Sequence, residues 1–295
     1  MKSIRGWYAR LPEETRVRIR SLAPAGLLRW YAHKNTDVYL LSYPKCGRTW
    51  LRLMLGKAIA CHFAVPMEED ILFLRSYKAL PAAAPRITVI HDDRPMLKTP
   101  DELETSKEKY RDKRVIFLVR DPRDVIVSSY FEMTKRGRIF GENPYESRRP
   151  IFEGSLPAFI RNPVGGFDTL LCFYNIWAEN QNVPKGFLLL RYEDLKADPP
   201  GELQRALDFI GLAGVEDAII AEAVEFASFE NMRKMEAENR FQSGILNPGD
   251  AFDQDTYKTR KGVIGGYKEH LSEEEIAFLN QKMKAELSPF FGYGS

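Results

Sequence analysis

Ser42-Tyr43-Pro44-Lys45-Cys46-Gly47-Arg48-Thr49-Trp50 overlaps the end of the apolar run Val38–Tyr43. It opens a stretch of helical spacing through Leu53, Met54, Lys57 and Cys61. A strand, a tight turn and a helix in that order place unpaired helix N–H groups at the turn, which makes the turn an anion site. Gly47 lets the backbone approach a ligand closely, Lys45 adds a charge, and Thr49 adds a hydroxyl donor. An ATPase-type phosphate loop has its Lys after a second Gly, whereas Lys45 precedes the only Gly here.

Further short apolar runs without polar alternation stand at Ile87–Ile90, Val115–Val119 and Phe187–Leu190. Strands covered on both faces read this way, and each is followed by helical spacing. The expected fold is a single α/β domain, with a parallel sheet flanked by helices and its ligand at the carboxyl ends of the strands. After the third run, Arg120 stands at the strand tip, Asp121 caps the next helix, and Pro122 suits its first position. Ser128 follows eight residues after Arg120, so the two can grip one phosphate from two sides. Arg123 and Asp124 read as a surface or interhelix ion pair. From Met235 to Arg260 the sequence turns polar and loses its period, as a lid or binding loop does.

The 295 residues are 44% hydrophobic with a formal charge of +2, which excludes no globular class and gives no sign of a nucleic-acid partner. The charge is uneven. Residues 1–36 hold eight Lys and Arg against Glu13 and Glu14, a net +6, and form a basic helical arm. Such an arm suits either an anionic membrane surface or a solvated helix packed on the domain edge. No stretch is apolar enough to span a membrane, and Cys46, Cys61 and Cys172 are scattered like reduced thiols, so the expected location is the cytoplasm. No Asp/Glu constellation points to a metal.

At the level of motifs, Tyr43 through Trp50 resembles the 5′-phosphosulfate loop of sulfotransferases that use 3′-phosphoadenosine 5′-phosphosulfate (PAPS), and Arg120 through Ser128 is similar to their 3′-phosphate motif. Leu190-Arg191-Tyr192-Glu193-Asp194-Leu195 resembles the family's Tyr-Glu-Asp segment, and Arg260 through Lys268 its late Arg-Lys-Gly motif. The resemblance runs in the family's order over most of residues 37–295, which it identifies as the sulfotransferase domain.

The resemblance implies a P-loop-like donor site with PAPS as cofactor, its product 3′,5′-adenosine bisphosphate (PAP), and no metal. It assigns Lys45, Gly47, Arg48, Thr49 and Trp50 to the 5′ side and adenine. Arg120 and Ser128 fall to the 3′-phosphate, Tyr192 and the Ser228-Phe229 pair to the base, and Arg260, Lys261 and Gly262 to a loop closing on the 3′-phosphate. His91, just beyond the Ile87–Ile90 run, resembles the catalytic histidine, with Lys45 neutralising the leaving group. His62 reads as a packed residue and His33 and His270 as surface ones. Asp194 reads as an anchor for its loop.

The sequence departs from the family pattern in places. Val89 stands where a Lys is usual, which leaves a transition-state cation to be supplied elsewhere, with Lys98 a candidate. Cys46 and Arg48 replace Ser and Thr, Gly266-Tyr267 replaces Asp-Trp, and the dimerisation pattern after Lys268 is not kept. Phe131, Phe140 and Phe152 lie in or beside an insertion rich in Gly and Arg and are expected to form an apolar wall for a small hydroxyl acceptor. Arg136, Arg138, Arg148 and Arg149 in the same insertion would instead suit an acidic acceptor.

Overall fold

Strand β1 (Val38–Ser42) is buried at all of its residues because a strand pairs with it on each side and helices cover both faces. The computed structural model describes residues 25–66, 69–72, 74, 80–136, 152–242, 245–248 and 252–294. With β2 (Ile87–Ile90), β3 (Arg114–Val119) and β4 (Gly186–Arg191), β1 forms a parallel sheet in the order β2-β1-β3-β4. The expected α/β architecture holds, with strand ends within a residue or two of the apolar runs.

The order reverses direction at β1, so the turns leaving β1 and β3 lie side by side at the switch point where such sheets bind ligands. Leu41 pairs with Ile90 in the β1–β2 register, which carries His91 to the level of Ser42. Ser42 pairs with Leu118 on the other side, which sets Arg120 just beyond the same edge.

The described helices are α1 (Ala25–Lys34), α2 (Arg48–His62), α3 (Pro122–Phe131), α4 (Leu156–Ile160), α5 (Phe167–Glu179), α6 (Tyr192–Ala197), α7 (Pro199–Ile210), α8 (Asp217–Phe226), α9 (Phe229–Ala237) and α10 (Glu273–Glu286). Asp121 caps α3 by accepting from the N–H of Arg123, with Pro122 in the first turn, as the sequence predicts. A single π-helical turn, Glu132–Arg136, continues α3. Helix α5 lays Phe173, Tyr174 and Trp177 against Phe117 at the centre of the sheet, with ring centroids 6.0, 6.0 and 5.3 Å away.

Residues 1–24 of the basic arm lie outside the described residues. Helix α1 is joined to the domain edge by His33 Nδ1 and the Tyr39 hydroxyl, 2.8 Å apart. His62, expected to pack, is exposed at the end of α2. Among the described residues, no helix is long and apolar enough to cross a membrane.

Candidate active site

The chain turns sharply after β1: Lys45 and Gly47 both take positive φ, 73° and 88°. Only a residue without a side chain fits at 47, because a Cβ there would stand 2.5 Å from Tyr192 Cδ2. The turn lies against the β3 turn through one buried hydroxyl. Tyr174 Oη accepts from the Arg120 N–H at 3.1 Å, donates to the Arg120 carbonyl at 3.0 Å, and lies 3.3 Å from Cys46 Sγ. Burial pushes the Cys46 thiol up to about 12, so it stays protonated and is no nucleophile at neutral pH.

These turns open on a cleft of about 970 Å³. Every site residue expected from the sequence lines it except Ser228, whose hydroxyl accepts from the Asn231 N–H and caps α9. The cap places Phe229 at the first position of α9, on the cleft wall and against Gly262. At that end Tyr192 meets Trp50 edge-on at 5.8 Å, carries the Arg120 guanidinium 4.5 Å over its ring, and donates from Oη to the Gly262 carbonyl at 3.1 Å.

Arg120 donates to the Val263 carbonyl at 2.8 Å and pairs with Asp124 at 3.3 Å. The expected Arg123–Asp124 pair does not form. Arg123 turns back on Asp121 at 2.6 Å, while Asp124, buried, accepts from the N–H groups of Gly265 and Tyr267 and holds the late loop to α3. Glu193, rather than Asp194, anchors the β4 turn by accepting from the Asp121 N–H and the Tyr293 hydroxyl.

Lys45 points into the interior, where its ammonium meets Glu132 at 2.8 Å, with side-chain exposures of 9% and 6%. Burial pulls Lys45 below the usual amine range and the facing carboxylate opposes it. Burial likewise disfavours the charged form of Glu132, but Lys45, Lys258 and Arg136 outweigh it and hold that carboxyl well below its usual value. Arg136 bridges Glu132 and Glu236, 3.3 Å from each. Glu236 in turn accepts from the backbone N–H groups of Lys258 and Thr259.

The late segment, read from the sequence as a lid or binding loop, is therefore anchored from inside through Glu236. A carboxyl depressed in the fold adds stability above its unfolded pKa and loses it as pH falls. Glu132→Gln is accordingly expected to flatten the loss of thermal stability on acidification through about pH 4.5, checked by melting curves between pH 7 and 3. An unchanged acid limb would remove Glu132 from that transition.

His91 Nδ1 is 3.0 Å from the Ser42 carbonyl, which can only accept, so Nδ1 carries the proton and Nε2 the lone pair. Arg48 Nη2 donates to Nε2 at 2.6 Å. Asp92 and Asp93 face elsewhere: Asp92 is buried against Lys107, Lys109 and Tyr110, and Asp93 is paired with Lys98. Lys98 does not line the cleft, so it does not supply the cation expected in place of Val89.

Arg260 lies 4.0 Å over the Phe131 ring and 3.2 Å from His270 Nε2, while Lys261 pairs with Glu269. His270, read as a surface residue, thus borders the site. Burial, then Arg260, lowers its pKa.

A family model for the sulfotransferase domain matches residues 35–291. The chain belongs to the sulfotransferase family. Among its relatives, human sulfotransferase 2A1 is 29% identical over 273 residues, 86% of each chain. The flavonol 3-sulfotransferase of Flaveria bidentis is 26% identical over 278 residues, 87% of this chain and 83% of the relative. The crystal structure of a mouse sulfotransferase complexed with PAP shares the fold, with a TM-score of 0.56 at 19% identity over 85% of this chain and 84% of that one.

In this sulfotransferase the apolar part of the cleft differs from the expected one. Phe131 lies beneath Arg260, Phe152 packs on Tyr130 and Phe159, and Phe140 lies outside the described residues. Val89, Ile90, Met96, Leu97, Met133 and Met232 line the cleft instead. Four of these flank His91 in sequence, an apolar signal that lies outside the aromatic insertion.

Proposed function

We propose that this sulfotransferase moves the sulfuryl group of PAPS to the hydroxyl of a small apolar acceptor by in-line displacement. The observation that carries the reading is the single cleft, which brings the β1 turn, His91 and a separate cationic cluster onto one surface. A nucleotide charged at both ends needs two such clusters.

In this reading Lys45, Gly47 and Thr49 take the 5′-phosphate, Arg48 borders the sulfuryl end of the same 5′ side beside His91, and Trp50, Tyr192 and Phe229 hold the adenine. Ser228 acts on the base only through the helix it caps. Arg120, Ser128, Arg260, Lys261 and Gly262 take the 3′-phosphate.

His91 Nε2 accepts the proton of the acceptor hydroxyl as the acceptor oxygen bonds to sulfur and the sulfur–oxygen bond to the 5′-phosphate breaks. Lys45 neutralises the charge growing on departing PAP. The six apolar residues on the cleft wall, four of them flanking His91 in sequence, favour a hydrophobic acceptor over a carbohydrate. The +6 arm favours an anionic surface, whereas the His33–Tyr39 contact favours a packed edge, and the location we assign is cytoplasmic.

The test is release of PAP from PAPS, without metal, across phenols, long-chain alcohols and sugars. Phenols and long-chain alcohols are expected to lead. PAP at a hundred times its Kd is expected to stabilise the fold by ~2.7 kcal/mol, several degrees of melting temperature, with ATP doing far less. Release with none of the acceptors would overturn the transferase reading, and a clear preference for sugars would overturn the apolar one.

A further inference from the structure

Arg48 begins α2, lines the cleft, and covers the one lone pair that His91 has to offer. Both ring nitrogens are then engaged, Nδ1 with the Ser42 carbonyl and Nε2 with the guanidinium. In this arrangement His91 cannot take a proton from an acceptor.

The partners differ in strength. A guanidinium bonds a neutral imidazole more weakly than an anionic oxygen, because only the anion adds the attraction of a second full charge to the hydrogen bond. The sulfuryl group spreads negative charge over three oxygens, and a donor seated in the β1 turn would hold it near the start of α2. Of the other cations around His91, Lys45 rests on Glu132, Lys98 is paired with Asp93 outside the cleft, and Arg94 is exposed on the cleft wall, while Val89 beside His91 carries no charge.

Resting on the transferase reading above, we propose that Arg48 leaves His91 Nε2 for the sulfuryl oxygens when PAPS binds. One movement uncovers the base and neutralises the group in flight. The acceptor hydroxyl then gives its proton to Nε2, its oxygen bonds to sulfur, and PAP departs with the electron pair of the broken sulfur–oxygen bond. With PAP alone there is no sulfuryl group to draw Arg48 away, so the base stays covered until a transferable group is present.

The experiment compares PAP and PAPS affinities, without acceptor, in the wild-type chain and in Arg48→Gln. Arg48→Lys is carried in parallel, and melting curves check the fold. Wild type is expected to prefer PAPS over PAP by about tenfold, a single charge-assisted contact. Arg48→Gln is expected to lose that preference with PAP affinity nearly intact, and its kcat to fall by about 10²-fold or more, as when one oxyanion donor is removed. Arg48→Lys, which keeps the charge on a shorter head, is expected to fall between them; if Arg48→Gln does not fold, its partial loss of preference carries the test. The ¹⁵N resonance of His91 Nε2 is expected to move on PAPS binding and to be already moved in free Arg48→Gln.

Equal loss of PAP and PAPS affinity would make Arg48 a ligand of the 5′-phosphate and overturn the proposal, as would an unmoved His91 resonance. A wild-type chain that shows the Arg48-dependent preference but releases no PAP with any acceptor would refute the transferase reading and leave the Arg48 assignment standing.

Discussion

His91→Ala is expected to lower kcat for PAP release by about 10²–10⁴-fold, the usual worth of a positioned general base, while PAP binds nearly as before. The split follows from geometry. His91 is held by the Ser42 carbonyl at the sheet edge and meets Arg48, whereas Tyr192 gathers Trp50, Arg120 and Gly262 around it, with Phe229 against Gly262. Steady-state kinetics with saturating PAPS, set beside calorimetric titration with PAP, would read the two quantities separately. Near-normal turnover in the variant would take His91 out of the mechanism. Parallel loss of PAP affinity would place it in the nucleotide site instead.

Lys45→Met is expected to damage rate and fold together. Losing the cation that we propose neutralises the leaving oxygen should cost about 10²–10³ in kcat. Removing one member of a buried ion pair also strands the other, at a cost of about 3 kcal/mol, the low end of the usual range because Arg136 still reaches Glu132 at 3.3 Å. Adding Glu132→Gln should restore much of the stability and none of the rate, which a thermodynamic cycle over the four proteins would test. Stability unchanged in Lys45→Met would mean that the pair is not formed in solution, and a rate that returns with the fold would mean that Lys45 acts only through stability.

The parts of the site that lie in one turn were legible in the sequence because the physics there is local. A positive φ calls for Gly47, a helix start calls for Asp121 and Pro122, and a doubly covered strand reads as an unbroken apolar run at Val115–Val119. The contacts that hold those turns to one another were not legible. Tyr174 looks like one more aromatic of a core helix, yet its hydroxyl joins the Cys46 and Arg120 turns.

Glu132 and Glu236 are ordinary helix residues by pattern, and only the tertiary fold shows that both are buried around Arg136. Asp124 departs from its sequence reading for the same reason: it also holds backbone groups more than a hundred residues downstream. Proximity in sequence points Lys98 and Phe131 at the acceptor, but Lys98 is occupied by Asp93 and Phe131 by the distant Arg260.

The chain of charges from Lys45 through Glu132, Arg136 and Glu236 to the backbone of Thr259 ends one residue before Arg260. A bidentate ligand that draws Lys45 off Glu132 at one end therefore unbalances the carboxylates that fix the segment carrying Arg260 at the other. Its two anionic ends then do not contribute independently. On the proposed reading the whole ligand is expected to behave as a chelate, held by more or by less than the sum of its fragments, so that half of it, supplied alone, is a poor guide to what the intact ligand does.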